Sequence, residues 1–306
     1  MELEAYEKVH KGLPGYHISR PGVFRVWGSE AIAFLDGLLT NNVKKLQPGQ
    51  SLLAAFPTPQ GRLIAVVKVH RAGEEILLET EEATRKAVYA HLHRFTFAGD
   101  FNLRDESEQY LSVELYDFEN KTAPISDFKF LIRGRADYLI HAKSLENVLH
   151  KLNEEGVLAL DDQAADLLRL ECGIPRFGKE IDESVVVPEI GIPEMISYTK
   201  GCYAGQEIIA RIHFRGHVAK LLSGLIFRGS EISDAGEIIG SELNSEDGKS
   251  AGKLLTAAFS PHLDSYIGMG FVRWDFLEEG RKLFAGKLTA EVVSLPFIKR
   301  KIASAE

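Results

Sequence analysis

The residues best suited to chemistry lie in one stretch of eight, residues 200–207 (the octet), which reads Lys-Gly-Cys-Tyr-Ala-Gly-Gln-Glu. Residues 207–212 are typical of a helix, with Gly205 at or just before its N-cap. The helix N-terminus and the ammonium group of Lys200 would both favour the thiolate of Cys202, the form that attacks electrophiles and binds metals. The octet is therefore a candidate for thiol chemistry. The alternative is a small buried cysteine in an ordinary turn between a strand and a helix.

Other chemistries have less support in the sequence. A thiol hydrolase would pair Cys202 with a positioned histidine, but no hydrolase signature accompanies His213 and His217. These histidines have the i, i+4 spacing of a metal pair, yet Gly216 interrupts the helix and no HExxH-type glutamate is present, so no metal site is predicted. A stable iron–sulfur cluster usually takes about four cysteine or histidine ligands, so any cluster contact of Cys202 must be transient or shared with a partner. Motifs for nucleotide cofactors are absent from the sequence.

Composition and charge narrow the class of protein. The 306 residues, 45% hydrophobic and 26% charged, are ordinary for a soluble globular chain of two or three structural units. The net charge of −8 argues against nucleic acid as a partner. Two cysteines do not make a disulfide framework, the N-terminus is acidic, and apolar runs stay shorter than the roughly 20 residues that span a membrane. We therefore expect a cytoplasmic protein that does not bind a membrane.

The spacing of apolar residues predicts strands interrupted by a few helices up to residue 172. The predicted strands are 23–27, 52–56, 63–69, 76–80, 101–104, 110–116, 128–133 and 138–141. Helices are expected at about 30–39, 82–95, 144–156 and 161–172. This order fits an α+β unit with an antiparallel sheet better than a parallel βαβ array. Cys172, at a helix C-terminus where the dipole disfavours a thiolate, is expected to be inert packing.

From about residue 221 the pattern changes to short β-like runs separated by glycine and aspartate turns. Their spacing predicts a small β-barrel or sandwich of about six strands. Residues 236–252, rich in glycine and polar residues, are predicted to be a mobile surface loop.

Four stretches together resemble a known family. They are the octet, residues 169–180 (Arg-Leu-Glu-Cys-Gly-Ile-Pro-Arg-Phe-Gly-Lys-Glu), residues 59–62 (Pro-Gln-Gly-Arg) and residues 39–43 (Leu-Thr-Asn-Asn-Val). With them the chain resembles the YgfZ-type folate-binding proteins. Those are relatives of the aminomethyltransferase (T-protein) of the glycine cleavage system and are implicated in iron–sulfur cluster assembly or repair. Asn42 stands where the family has an aspartate, so an acidic role there is not carried over.

The resemblance implies an α+β, aminomethyltransferase-like fold of two α/β lobes around a ligand cleft, with a C-terminal β-barrel. Residues 1–219 would form the folate-binding domain and residues 220–306 the barrel. The ligand would be tetrahydrofolate or a derivative, and Glu171 would contact its pterin ring, since a carboxylate can accept two hydrogen bonds from an aminopyrimidine edge. From the residues alone, Glu171 would instead form an ion pair on a helix surface. The resemblance assigns chemistry to Cys202 and Lys200 and folate contacts to Arg169, Glu171, Tyr203, Gln206, Arg62 and Asn41.

Two folate functions compete. Aminomethyltransferases use an aspartate in the segment that corresponds to residues 79–87, where this chain has no aspartate and where Glu81 or Glu82 would have to substitute. They also have residues like Lys-Gly-x-x-x-Gly-Arg-Glu in place of the cysteine octet. Both departures favour a tetrahydrofolate-binding accessory protein that supports iron–sulfur enzymes or assembly factors through transient contacts. The alternative is a folate-dependent aminomethyltransferase or another one-carbon transferase.

Overall fold

Two five-stranded β-sheets and a closed barrel form the framework of the protein. The structure, a computed structural model, describes residues 3–97, 99–126, 128–228 and 235–299. The strands before the barrel are β1 (Gly15–Ser19), β2 (Gly22–Trp27), β3 (Ser51–Pro57), β4 (Leu63–Ala72), β5 (Glu75–Thr80), β6 (Asn102–Asp105), β7 (Tyr110–Tyr116), β8 (Phe128–Ile132), β9 (Arg135–His141) and β10 (Leu158–Ala159). The α-helices are α1 (Leu3–His10), α2 (Ala31–Leu38), α3 (Arg85–His93), α4 (Leu145–Glu154), α5 (Asp162–Glu171) and α6 (Gln206–Arg215).

The first sheet has the strand order β3-β4-β5-β2-β6, and all neighbouring strands are antiparallel. Helices α2 and α3 pack on one of its faces, where Leu35 and Val88 meet Phe24, Val67 and Ile76 in one buried cluster. The second sheet has the order β10-β1-β7-β9-β8, and only the short β1–β10 pair is parallel. Side chains of α4 pack on one face of this sheet.

The other faces of the two sheets look towards each other and carry charged residues beside a small apolar cluster. Because side chains alternate along a strand, the helix-facing positions of β4, β5, β7 and β9 are apolar while the intervening positions face the opposite sheet. Those intervening positions hold Lys68, Glu79, Glu114, Arg135 and Asp137. The fold therefore places charges from distant parts of the chain between its two lobes.

The C-terminal part closes into a barrel with the strand order β11-β14-β13-β12-β15-β16. Its first strand begins at Lys220, and β16 pairs with β11 to complete the closure. The strands are β11 (Lys220–Phe227), β12 (Glu242–Asn244), β13 (Ser250–Ser260), β14 (Ser265–Arg273), β15 (Lys282–Ala285) and β16 (Leu288–Val293). The predicted α+β fold with two lobes and a barrel is confirmed.

One part of the sequence-based prediction is wrong. Residues 236–252, expected to be a loop, contain strand β12, which joins β13 to β15 in the barrel wall. Its central residue Leu243 and the nearby Ile238 and Ala251 are buried in the barrel core. The strand is short, and the polar residues on both sides of Leu243 give no alternating apolar pattern that would predict it.

Helix α1 and strand β1 lie before the first strand that the sequence predicts. Tyr6 and Val9 of α1 are buried against Tyr116 and α5, in the same cluster as Cys172. Cys172 is buried at the C-terminus of α5, as expected for a packing residue. Among the described residues, the helices are too short or too polar to cross a bilayer.

Candidate functional site

Lys200, the first residue of the octet, is buried and caps the C-terminus of helix α2. Its ammonium group donates hydrogen bonds to the backbone carbonyls of Asp36 (2.5 Å), Leu39 (2.8 Å) and Asn41 (2.8 Å). Burial lowers the pKa of this ammonium group, and the charge on Asp36, whose carboxylate is 3.4 Å away, acts in the opposite direction. A cation is favoured at this end of a helix, where the carbonyls are otherwise unsatisfied. The ammonium group of Lys200 therefore stabilises the end of α2.

Cys202 is exposed at the surface of the octet loop. On one side is the exposed Gly201, and on the other Tyr203 is buried in the core that joins the lobes to the barrel. The next amide, of Ala204, donates to the carbonyl of Gly37 (3.1 Å). Among the described residues, Cys202 has no hydrogen-bond or ion-pair partner. The loop thus holds a free thiol outward on a backbone that is anchored on both sides.

Gly205 fixes the loop against the turn at residues 58–62. It is the N-cap of α6, as predicted, with a left-handed backbone (φ +77°) that favours glycine. A Cβ atom at this position would lie 2.4 Å from the carbonyl oxygen of Thr58. The close approach requires glycine at this position and holds the octet against the Pro-Gln-Gly-Arg turn.

The remaining residues predicted to contact folate near the octet are used to join segments. Asn41 donates to the carbonyls of Leu53 (2.7 Å) and Glu194 (2.8 Å), and Arg62 donates to the carbonyl of Ser184 (2.5 Å). Gln206 reaches the carbonyl of Gly201 at 3.4 Å. The ring of Tyr203 lies under the ammonium group of Lys200, 5.1 Å from its centroid. These contacts hold the loop in place.

A cavity of about 340 Å³ lies between the two sheets (the central cavity). Its charged lining comes from five strands, helix α5 and two loops and includes His17, Lys68, Glu79, Glu81, Glu114, Arg135, Asp137, Arg169 and Arg176. Lys68 of the first sheet and Asp137 of the second are joined at 2.8 Å, so the two lobes meet through an ion pair at the cavity wall. Lys68 also contacts Glu79 at 2.7 Å.

Asp137 and Glu114 at this wall each have one buried oxygen without a hydrogen-bond partner among the described residues. Asp137 Oδ1 is 2.7 Å from Arg135 Nε. Glu114 lies farther from the cations around it. Its Oε2 is buried without a hydrogen-bond partner among the described residues, although Arg135 Nη1 is at 3.3 Å and Arg176 Nη2 at 3.6 Å. The Nδ1 of His17, 3.7 Å from it, is also buried without a partner. Burial raises the pKa of Glu114, but the positive charge of Arg135 and its neighbours outweighs burial and holds this pKa well below its usual range. The wall therefore presents an ionised acceptor with unused hydrogen-bonding capacity.

Glu81 lines the same cavity, and its pKa is shifted in the opposite direction from that of Glu114. Burial raises its pKa, against the hydrogen bonds from the backbone amide of Phe177 (3.1 and 3.2 Å) and the charge of Arg176. A raised pKa favours the protonated form of this carboxyl group relative to an exposed glutamate. Glu82 also lines the cavity but is exposed.

Arg169 forms part of the cavity wall and is fully paired. It makes two parallel hydrogen bonds to Glu180 (3.1 and 3.0 Å) and others to the carbonyl of Ile174 and to Asp166. Both Arg169 and Glu180 are almost completely buried. The pair fixes residues 174–180 against α5, where they close one side of the cavity.

Glu171 lies two residues along α5 but points into a different cluster. Its carboxylate accepts hydrogen bonds from the hydroxyl of Tyr6, from Ser260 (2.7 Å) and from His10 Nε2 (2.8 Å). His10 in turn stacks on His262, with ring centroids 4.0 Å apart. The cluster joins α1, α5 and the barrel, and Glu171 is 1% exposed there.

Of the site residues predicted from the sequence, Arg169 lines the central cavity. Glu171 lies in the cluster with Tyr6 and His10, and the others lie in or around the octet. The sequence analysis missed His17, Lys68, Glu114, Arg135 and Asp137. One signal was available for several of them, because a charged residue in the middle of an apolar strand needs a buried partner or a ligand.

Known proteins share this architecture. Aminomethyltransferase T of the glycine cleavage system from Bartonella henselae has the same fold, with a TM-score of 0.81 at 19% sequence identity, and the match covers 98% of this chain and 91% of that one. Residues 222–299 match the glycine cleavage T-protein C-terminal barrel domain. The protein is thus built on the aminomethyltransferase fold and carries the T-protein barrel.

Two relatives carry different names. The aminomethyltransferase of Rubrobacter xylanophilus is 27% identical over 316 residues, which cover 94% of this chain and 83% of that protein. The mitochondrial iron–sulfur cluster assembly factor IBA57 homolog of Mycosarcoma maydis is 28% identical over 222 residues, which cover 67% of this chain and 55% of that protein. The chain is therefore similar to aminomethyltransferases and to an assembly factor.

Proposed function

We propose that the chain is a cytoplasmic, tetrahydrofolate-binding accessory protein that supports iron–sulfur cluster assembly or repair, with residues 1–219 binding the folate. The observation that carries this proposal is the buried, ionised Glu114 at the wall of the central cavity, with one oxygen lacking a hydrogen-bond partner among the described residues. The names of the relatives, aminomethyltransferases on one side and an assembly factor on the other, support the two halves of the proposal.

The residues at the cavity fit a reduced folate. A pterin ring presents adjacent N–H donors on its aminopyrimidine edge, and Glu114 offers the matching acceptor. The cavity volume, about 340 Å³, lies within the range of about 300–1,000 Å³ that small-molecule sites occupy. Arg135 and Lys68 hold the carboxylates ionised, and the apolar Leu53 and Ile192 in the lining exclude water from the ring.

The resemblance assigns the pterin contact to Glu171, and the geometry favours Glu114. Glu171 already accepts hydrogen bonds from three side chains of the protein. A ligand would have to displace at least one of them, whereas Glu114 Oε2 accepts a donor without breaking a hydrogen bond. We therefore assign the ring-binding carboxylate to Glu114 and a positioning role to Glu171, which holds α5 and thereby Arg169.

Cys202 supplies the second half of the proposed function. The exposed thiol can lose its proton and bind an iron atom of a partner's cluster for a short time, with the cluster as the substrate. It does not line the central cavity, so the folate and the cluster would occupy separate places on the protein. In this arrangement folate binding stabilises the lobes that hold the octet.

Calorimetric titration with tetrahydrofolate tests the first half. We expect one site, weakened about ten- to a hundredfold by Glu114→Gln, since a buried hydrogen bond to a charged group contributes about 1.5–3 kcal/mol. Glu207→Gln, at an exposed position of α6, serves as the matched control and should leave affinity unchanged. If Glu171→Gln abolishes binding in a folded protein and Glu114→Gln does not, the assignment from the resemblance is correct. Failure of the unmutated protein to bind would end the proposal.

A one-carbon transferase is the second candidate, and Glu81 favours it. Its carboxyl group faces the same cavity with a raised pKa, as a group that moves a proton to or from a bound folate would. Reconstituted glycine cleavage with this chain in place of the T-protein decides between the candidates. We expect background production of methylene-tetrahydrofolate only. Turnover that Glu81→Gln removes would make the transferase the correct function.

A further inference from the structure

A second depression, about 390 Å³, lies between the outer wall of the barrel and residues 178–185 (the barrel groove). The Arg169–Glu180 pair separates it from the central cavity, since Arg169 lines the cavity and Glu180 lines the groove. The groove plays no part in the folate or thiol chemistry proposed above. Its side chains therefore require a separate explanation.

Three cations share the barrel side of this groove. Lys220 and Arg273 are directly opposite each other on β11 and β14, and Lys253 of β13 is opposite Phe271. Because alternate residues of a strand share a face, Phe271 and Arg273 point the same way, and their partners point with them. The intervening Val272 points into the barrel core. The three positive groups thus line one outer surface across adjacent strands.

Two of these cations lack an acidic partner among the described residues. In the described part of the chain, Lys253 and Arg273 form no ion pair or side-chain hydrogen bond, and Lys220 lies over the ring of Phe271 at 4.2 Å. The charge of Lys220 also acts on the carboxyl group of Glu189, where it opposes the effect of burial on the pKa. Lys253 and Arg273 therefore carry most of the unpaired positive charge of the groove. A surface of this kind attracts anions.

The acidic residues in the groove cancel part of this positive charge but not all of it. Glu180 is buried and held by Arg169, and Asp182 accepts hydrogen bonds from the amide (2.8 Å) and hydroxyl (2.5 Å) of Ser184. Glu242 lies across from Lys253 in the strand register but forms no ion pair with it among the described residues. The opposite wall adds apolar surface from Ile181 and Val185.

We propose that the barrel groove binds a small organic anion that carries two or more carboxylate or phosphate charges. Neighbouring strands are about 4.8 Å apart, so the cations of β11, β14 and β13 span roughly 10 Å. A di- or tricarboxylate or a diphosphate can contact all three without requiring the side chains to converge on one point. The apolar wall beside Phe271 accommodates the carbon part of such a ligand.

Calorimetric titration at low ionic strength with citrate and with pyrophosphate tests this proposal. We expect saturable binding of one equivalent of at least one probe, weakened by added salt because the contacts are electrostatic. Binding by only one of the two identifies carboxylate or phosphate as the preferred charge. The double variant Lys253→Gln/Arg273→Gln should lose about a hundredfold or more in affinity, about tenfold for each charged contact removed.

The matched control is Lys86→Gln/Lys287→Gln, which removes the same charge from exposed positions outside the groove. It should bind both probes as the unmutated protein does. Equal loss in the control and the groove variant would show general attraction to positive surface and overturn the proposal. So would the absence of saturation by either probe up to about 10 mM in the unmutated, folded protein. Glu114→Gln should leave anion binding intact, so failure of the folate proposal is distinguishable.

Discussion

The octet loop and the central cavity use charge in opposite ways. In the octet the one buried charge, on Lys200, is used in hydrogen bonds to backbone carbonyls at the end of α2. The thiol of Cys202 nearby is exposed. In the cavity, charges pair with each other across two sheets, and one oxygen each of Glu114 and Asp137 is buried without a hydrogen bond in the described structure. The loop is a support for a single reactive atom, whereas the cavity is a surface prepared for a ligand.

The difference shows that a contiguous motif and a dispersed site meet different structural requirements. The octet must place one atom, so most of its residues anchor backbone. The cavity must match the shape and donors of a molecule, so its residues come from positions as far apart as His17 and Arg176. Substitutions in the octet should therefore change stability more than binding, and those in the cavity should change binding or pH dependence.

The largest effect is expected at Lys200. Lys200→Met removes a fully buried ammonium group and leaves three carbonyls unsatisfied at the end of α2, so the free energy of unfolding should fall by about 3–5 kcal/mol. Lys44→Met is the control, because its ammonium group is exposed and 3.7 Å from the same Asp36, and it should cost less than about 1 kcal/mol. Urea unfolding measures both. Similar small effects would mean that the octet lysine is free for chemistry.

The cavity should produce a pH dependence through Glu79. Burial raises the pKa of Glu79, but Lys68 and the hydrogen bond from His70 outweigh burial and lower this pKa from 4.5 to about 2. A lowered pKa means that the folded state favours the ionised form. The resulting stability, on the order of 3 kcal/mol, is present above pH 4.5 and is lost as the pH falls towards 2.

Unfolding free energies measured between pH 5 and pH 2 check this sign. Glu79→Gln should flatten the curve in that window relative to the unmutated protein. Glu108→Gln, at an exposed position, should not. Parallel curves for Glu79→Gln and the unmutated chain would show that the carboxylate is not held by the network.

Gly205 gives an intermediate effect in the octet. Gly205→Ala forces a side chain into a left-handed backbone and against the carbonyl of Thr58, and it should destabilise the protein by about 1–3 kcal/mol. Gly201→Ala in the same loop is the control, since an added Cβ there meets no atom within 4 Å. Thermal unfolding compares the two. Equal Tm values would mean that the loop is not pinned to the 58–62 turn.

The smallest effect on stability is expected at Cys202. Cys202→Ser changes an exposed atom without a partner among the described residues, so stability should change by less than about 0.5 kcal/mol and folate binding should persist. The same variant should fail to restore iron–sulfur enzyme activity in cells that lack the protein. Cys202 should also be alkylated faster than the buried Cys172, as followed by peptide mass. Full restoration by Cys202→Ser would exclude the thiol from the function.

Much of the fold was predictable because it depends on local patterns. Alternating apolar residues located the strands, and Gly205 marked the start of α6. Strand β12 escaped prediction because its single inward side chain, Leu243, makes no pattern by itself. Pairing with β13 and β15 in the closed barrel determines where this strand lies.

The site was less predictable because pairing between distant strands created it. Lys68 and Asp137 meet only after two sheets have formed and packed. The octet identified Cys202, but it suggested that Lys200 acts on the thiol. In the structure Lys200 caps the end of α2, which lies more than a hundred residues earlier and cannot be read from a local motif. The resemblance identified Glu171 but not the side chains that bind it. Tyr6 and His10 belong to α1, far from Glu171 along the chain, so the motif does not contain them.

The cluster around Glu171 has a consequence for how the molecule opens. Tyr6 and His10 of α1 and Ser260 of the barrel share one buried carboxylate, so fraying of the first helix removes hydrogen bonds that also hold the last domain. The backbone amides of α1 should therefore exchange with deuterium as slowly as those of β13, unlike a typical chain terminus. The two ends of the chain would then behave as one cooperative unit, and the lobes and the barrel would unfold in a single transition.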